Sequence, residues 1–151
     1  MNSFIRLALG ATLLWASLPG CGAARAAQAQ GSPNAAAQRA TEQWLALVDA
    51  GKYGESWDEA AQILKNTSSR KDWIAYLKDK REHLGKVASR KLLKADALKN
   101  VPGLPPGQFV GMQYRTSFDK LKNGVEVVIP VLDQDGKWRV SEYVVQPAQG
   151  Q

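Results

Sequence analysis

The sequence predicts an α+β domain in which helices precede a meander of antiparallel strands. Two observations carry that expectation. Apolar residues recur at helical spacing as far as Gly85 and at a period of two beyond it. Asn-Gly and Asp-Gly pairs then separate the alternating segments, and such pairs favour tight hairpins because both residues tolerate positive φ. Helices followed by strands place a helical layer on one face of a sheet.

The first helix is expected to begin near Asn34 as N-cap and to stop at Gly51, with Ala37, Ala40, Trp44, Leu47 and Val48 as its apolar stripe. A second follows at once, with Tyr53, Trp57, Ala60, Ala61 and Leu64 on one face and Asn66-Thr67-Ser68 as its end. The third opens on Ser69-x-x-Asp72, a capping box with Asp in place of Glu. Its apolar positions are Trp73, Tyr76, Leu77 and Leu84, and Gly85 stands where a C-cap glycine belongs.

Residues 87–98 read as a weak strand broken by lysines. Residues 108–118 place Val110, Met112, Tyr114, Thr116 and Phe118 on one face, and residues 124–132 place Val125, Val127, Ile129 and Val131 together. Residues 137–145 put Trp138, Val140, Glu142 and Val144 on one side, and Arg139, Ser141, Tyr143 and Val145 on the other. Pro130 cannot donate a ladder hydrogen bond, so it should mark an edge or a bulge. The expected architecture is three helices on a four-stranded antiparallel sheet.

The N-terminal end has its own logic. Arg6 precedes a 12-residue uncharged, mostly apolar run, Leu7 to Leu18, and Pro19-Gly20 and small residues follow. That is the order of a secretory signal, and the run is well short of the ~20 residues that span a bilayer. Two cleavage readings compete. Ala24-Arg25-Ala26 and Ala27-Gln28-Ala29 are A-x-A sites, whereas Leu18-Pro19-Gly20-Cys21 resembles a lipobox that would leave Cys21 lipidated. The leading reading is the conventional cut, since Pro19 departs from the usual small residue. The chain then divides into a signal peptide (1–26), a flexible leader (27–34), one α+β domain (35–146) and a disordered tail (147–151). The mature protein would be periplasmic or secreted; lipidation at Cys21 would instead anchor it at the outer membrane.

Cleavage after Ala26 removes Arg6 and Arg25 and no acidic residue, leaving 18 basic against 14 acidic residues, a net +4. The basic residues are dispersed, and the densest group, Lys78, Lys80 and Arg81, is interrupted by Asp79 and Glu82. That argues against a nucleic-acid platform, which needs a basic stripe with exposed aromatics. No stretch is long enough to span a membrane in the mature chain. Cys21 is the only cysteine, so disulfides and thiol chemistry inside the folded domain are excluded.

The ordered segments WLALVDAGKYGESWDEAA, SSRKDWIAYLKDKREHLG, SRKL, PGLPPGQFVGMQYRTSF and DGKWRVSEYVV, from about Ala36 to Val145, resemble the bacterial domain-of-unknown-function family numbered 4019. The resemblance implies a small exported protein, and the helix-then-sheet order suggests a cone-shaped nuclear-transport-factor-two-like or cystatin-like fold. It brings no catalytic residues with it.

Candidate chemistry is sparse. His83 is the only histidine and lies near a helix C-terminus, where the macrodipole favours a cation. With one histidine, no retained thiol and no carboxylates at ligand spacing, no metal site or cofactor is expected. Asp49, Asp58 and Glu59 are available acids whose default role is solvated charge. Walker, Gly-x-Gly-x-x-Gly, Gly-x-Ser-x-Gly and His-Glu-x-x-His patterns are absent. Trp44, Tyr53, Trp57, Trp73, Tyr114 and Trp138 are the residues that would line a pocket between helices and sheet. Aromatics at such spacing are first core packing and second a ligand wall. The leading functional expectation is a non-catalytic domain, monomeric or homodimeric, that binds a small apolar ligand or an envelope protein. The alternatives are a pocket enzyme of isomerase or hydrolase type using an Asp/Tyr or His83, and a lipid-tethered accessory subunit of an envelope complex.

Overall fold

Pro33, with φ preset for a helix and no N–H to satisfy, opens α1 (Pro33–Asp49). Asn34, expected as N-cap, lies inside the first turn, and its amide donates to the Ala95 carbonyl. The computed structural model describes residues 33–99 and 101–148. The expected signal peptide with Cys21, and most of the expected leader, lie outside the described residues. The helix stops before Gly51, at φ +73°, whose N–H donates to the Val48 carbonyl.

The expected second helix is two helices, α2 (Tyr53–Asp58) and α3 (Gln62–Thr67), so the described residues form four helices rather than three. The break is tertiary in origin. Ala61 is extended (φ −64°, ψ 153°), and its N–H donates 2.9 Å to the Val140 carbonyl in the sheet. Apolar spacing cannot reveal a bond to a residue 79 positions later. α4 (Arg70–Leu84) has the expected ends: Ser69 Oγ accepts from the Asp72 N–H at 3.1 Å, and Gly85 takes φ +77°.

Four strands follow, β1 (Val87–Leu98), β2 (Phe109–Phe118), β3 (Gly124–Leu132) and β4 (Trp138–Pro147). They pair antiparallel in the order β1-β2-β3-β4. β2 turns its expected face inward, burying Val110, Met112, Tyr114, Thr116 and Phe118. β3 departs from the obvious pattern. Its stripe of Val125, Val127 and Ile129 shares a face, but the opposite face, carrying Gly124, Glu126, Val128 and Pro130, is the buried one. In β4 the alternation breaks, because Ile129 opposes Glu142 while Pro130 opposes Val140. Ser141 is the additional residue, so Val140, Ser141 and Tyr143 are all buried and the expected two-sided division of this strand fails. Pro130 marks that bulge within an inner strand, consistent with its missing donor. Pro147, expected in the tail, pairs with Gly124, and Ala148 N–H donates to the Asn123 carbonyl.

The core joins Trp44, Leu45 and Val48 of α1 and Trp73 and Leu77 of α4 to Val110, Met112, Tyr114, Val128, Val140 and Tyr143 of the sheet. A smaller cluster of Ala61, Phe109 and Val131, flanked by Ile63, Leu98 and Leu104, closes one end.

Gly124 has no positive φ; its reason is proximity. A Cβ there would lie 2.9 Å from the Thr116 carbonyl oxygen and 3.1 Å from the Phe118 ring. Neither the carbonyl nor the buried ring can yield cheaply. Gly124→Ala should cost ~1–3 kcal/mol, the usual range for overpacking, read as a lower urea midpoint at unchanged slope.

Candidate functional site

The six aromatics expected to line a pocket have separate fates. Trp44 packs edge-on against Tyr143, centroids 5.4 Å apart, and tilted against Trp73 at 6.1 Å. Ser56 then satisfies both indoles: its carbonyl accepts from Trp44 Nε1 at 2.7 Å and its hydroxyl from Trp73 Nε1 at 3.0 Å. Ser56 Oγ in turn donates to the Tyr53 carbonyl. Trp57 is half-buried, donates to the Ser68 carbonyl and carries the Lys65 ammonium above its ring. Tyr114 is buried among the strands. Packing therefore accounts for Trp57, Trp73 and Tyr114. Trp44 and Trp138 also reach a surface groove, and Tyr53 reaches another.

Beside the aromatic core lies a cluster that sequence reading did not assemble. Glu126, 0% exposed, points inward from β3 and its carboxylate accepts four hydrogen bonds. Oε2 takes Arg90 Nε and the Thr116 hydroxyl, while Oε1 takes Arg90 Nη2 at 3.1 Å and the Tyr143 hydroxyl at 2.7 Å. Arg90 grips Asp49 with its other edge, through Nη1 at 2.6 Å and Nη2 at 3.1 Å. Asp49 also accepts from Arg81 Nη2. The Nε of Arg81 has no hydrogen-bond partner, and its guanidinium lies 5.4 Å from the Phe118 ring centroid. Two carboxylates and two guanidiniums thus balance. Bidentate Arg–carboxylate geometry is the strongest form of such pairing.

The titration of the neighbours follows from this arrangement. Burial opposes the charge of Arg90, but the hydrogen bonds and charges of Asp49 and Glu126 outweigh it and raise its pKa further. Burial, reinforced by the Glu126 charge, holds Tyr143 far above the usual phenol range. Burial and then the Glu42 charge push Tyr114 up to about 12. Both tyrosines are fixed as neutral phenols near neutrality, poor candidates for proton transfer. The sequence signal for the cluster was slight: one carboxylate in the apolar run VEVVIP, and an arginine in SRKL.

The remaining acids and the histidine stand at the surface. His83 keeps 76% of its side chain exposed, with Nδ1 2.8 Å from the Asp79 carbonyl. Asp58 is held below the usual carboxylate range by its hydrogen bonds with Arg70. Among the described residues, no three His, Cys, Asp or Glu side chains gather as a metal site would require. No helix among them is long and apolar enough to cross a membrane.

An open groove of about 600 Å³ runs between α1 and the start of β4. Ala36, Ala40, Leu47 and Trp44 supply its apolar side, and Trp138 stands opposite. Arg39, Gln43, Glu59, Lys137 and Arg139 provide its polar groups. Arg139 is engaged by Asp133 and Asp135. The others make no hydrogen bond or ion pair through their side chains among the described residues, and neither does the indole N–H of Trp138. Three other tryptophans, Trp44, Trp57 and Trp73, do use theirs.

Residues 40–143 match the family model described as "Protein of unknown function (DUF4019)", more than half of the chain. The chain belongs to that family. No curated protein matches it. A solved structure from Catenulispora acidiphila aligns at 13% identity with a TM-score of 0.49, covering 75% of this chain and 89% of that one. The family description assigns no reaction, so the site rests on its own geometry.

Two outcomes test the buried cluster. Glu126→Gln should destabilise the domain by roughly 3–5 kcal/mol, because Arg90 loses its inner counter-charge while remaining buried; urea denaturation reads this. Alkaline titration reads the tyrosines. A phenol with a raised folded pKa stabilises the fold fully below its unfolded value, and that stability disappears as pH climbs through the folded one. Tyr114 ordinarily titrates at 10 and stands near 12 in the fold. Stability should therefore decline from about pH 10 upward, with tyrosinate absorbance from Tyr114 and Tyr143 rising together with loss of near-ultraviolet dichroism.

Proposed function

We propose that this chain is an exported, non-catalytic binding domain whose ligand occupies the groove between α1 and β4. The observation that carries the reading is the groove's unused bonding capacity: an apolar side faced by Trp138, whose N–H has no partner in the fold. A half-buried tryptophan with a free donor at an open groove suits recognition, since an indole offers both area and one directional bond. Within the seam, by contrast, the aromatics fill their own space. That supports a groove at the edge of the layers over a pocket between them. The Glu126 carboxylate and the Tyr143 hydroxyl bond each other, and neither lines this groove, which weighs against a hidden acid–base pair.

The finer fold assignment belongs with this reading. Helices followed by a four-stranded antiparallel meander support a nuclear-transport-factor-two-like or cystatin-like fold. The signal-like order of residues 1–26 supports release into the periplasm or beyond, and Pro19 favours loss of Cys21 over its lipidation.

Native mass spectrometry of the protein purified from its own envelope is the test. An unmodified N-terminus between Ala24 and Gln30 and a bound molecule or partner are expected. Ala40→Trp, which fills the groove, should abolish the association while leaving the far-ultraviolet dichroism intact. A lipid-bearing Cys21 would overturn the soluble assignment, and association untouched by Ala40→Trp would overturn the groove.

A further inference from the structure

We infer that the chain pairs with a second copy of itself through the outer face of the sheet, about a two-fold axis passing over Val127. The inference is independent of the groove. None of the residues that carry it, Arg115, Val125, Val127, Glu142 and Val144, lines that groove.

The helical core packs on the opposite face of the sheet. Residues paired across a ladder share a face, so register gives the composition of the outer one. Val127 lies between Gln113 on β2 and Val144 on β4, Val125 is opposite Arg115, and Ile129 is opposite Glu142. Val125, Val127 and Ile129 are half-buried, and Val144 is 37% exposed. Ile129 packs against the Phe109–Val131 cluster, so Val125, Val127 and Val144 form the open apolar centre. A sheet covered on one face normally turns polar residues to the other, and β3 does not. An apolar centre within a polar rim is the anatomy of an interface.

The charges specify the occupant. Arg115 and Glu142 are exposed, and neither side chain makes a hydrogen bond or ion pair among the described residues. Arg115 also stands directly opposite Lys91, an unfavourable like-charged pair that a carboxylate from outside would relieve. Glu142 and Arg115 flank Val127 on opposite sides, each one strand across and two residues along, in opposite directions. With strands ~4.8 Å apart and ~3.3 Å per residue, each stands about 8 Å from that centre. A two-fold axis lying in the face, over Val127 and perpendicular to the line between them, carries each Arg115 onto the other copy's Glu142. The same rotation sets Val127 on Val127 and Val125 beside Val144. Self-complementarity of this kind is what a two-fold contact requires.

The face's other charges are compatible with that arrangement. Lys94 and Asp96 bond each other at 2.7 Å and are neutral as a pair. Lys91 comes to the start of β4, where Asp133 and Asp135 offset Lys137 and Arg139. The two sheets cross steeply, in the orthogonal class of sheet packing. Four-stranded sheets about 19 Å wide that cross in this way overlap over roughly 400 Å² per copy. A standard partner surface is ~800 Å², so the dimer is weak and reversible.

Sedimentation velocity of the full mature chain, from micromolar to millimolar concentration, is the test. A monomer–dimer equilibrium that weakens with added salt is expected. Arg115→Glu and Glu142→Arg, each alone, set like charges face to face twice per dimer and should weaken association by about tenfold or more. Mixing the two variants should restore association as a heterodimer, because every reversed residue then meets its opposite. Far-ultraviolet dichroism should be unchanged in both, since the two positions are exposed. Ala40→Trp should leave the dimer intact, which separates this face from the groove. A monomer at every concentration, association indifferent to both reversals, or variants that stay apart when mixed would each overturn the inference. Loss of the dimer on Ala40→Trp would do the same, by moving the contact to the groove.

Discussion

One buried carboxylate organises this domain. Glu126 on β3 is reached by Thr116 from β2, Tyr143 from β4 and Arg90 from β1, so every strand contributes to its shell. Through Arg90 the chain continues to Asp49 at the end of α1, and from there to Arg81 on α4. Desolvating such ions costs several kcal/mol each, and their attraction returns little more than that. The asymmetry matters more than the sum, because misplacing any member leaves a charge stranded in the interior. Register is where this acts. A one-residue slip of β3 would turn Glu126 outward and bring Val125, Val127 and Ile129 in. By hydrophobicity alone that alternative looks better, and the charged cluster is what opposes it.

Much of the fold could be read from the chain for local reasons. Ser69 and Gly85 cap α4 through contacts within a few residues, and β2 alternates because one face meets the core. The departures share one cause. The break before α3 depends on Ala61 reaching Val140; the inward face of β3 depends on Arg90; the bulge in β4 is opposite Pro130. Each is a pairing between distant positions, and periodicity within one segment carries no trace of its partner. Pro130 alone gave warning, because a missing donor is a local fact.

The aromatics show the same division at the level of function. Their spacing correctly placed Trp44, Trp73 and Tyr114 on core faces, where their number was sufficient to fill the seam. Trp138 is different because it follows a hairpin and stands at the start of an outer strand, half-buried against the core and lining the groove together with residues of α1. Arg39, Gln43 and Lys137 belong to no motif or periodic pattern of the sequence. Only the crossing of α1 over the start of β4 brings them to one strip.

β1 had looked like a poor strand because of its lysines, yet it runs for twelve residues at the margin of the sheet. An outer strand carries backbone groups that a second chain can pair with, the route by which sheets grow into fibrils. Lys91 and Lys94 place charge along that margin, and two interruptions of register, near Ala88 and Leu93, disturb its flatness. The Asn34 amide occupies the Ala95 carbonyl as well. The features that made the strand hard to recognise, its lysines and its broken register, are those that keep it from templating its own kind.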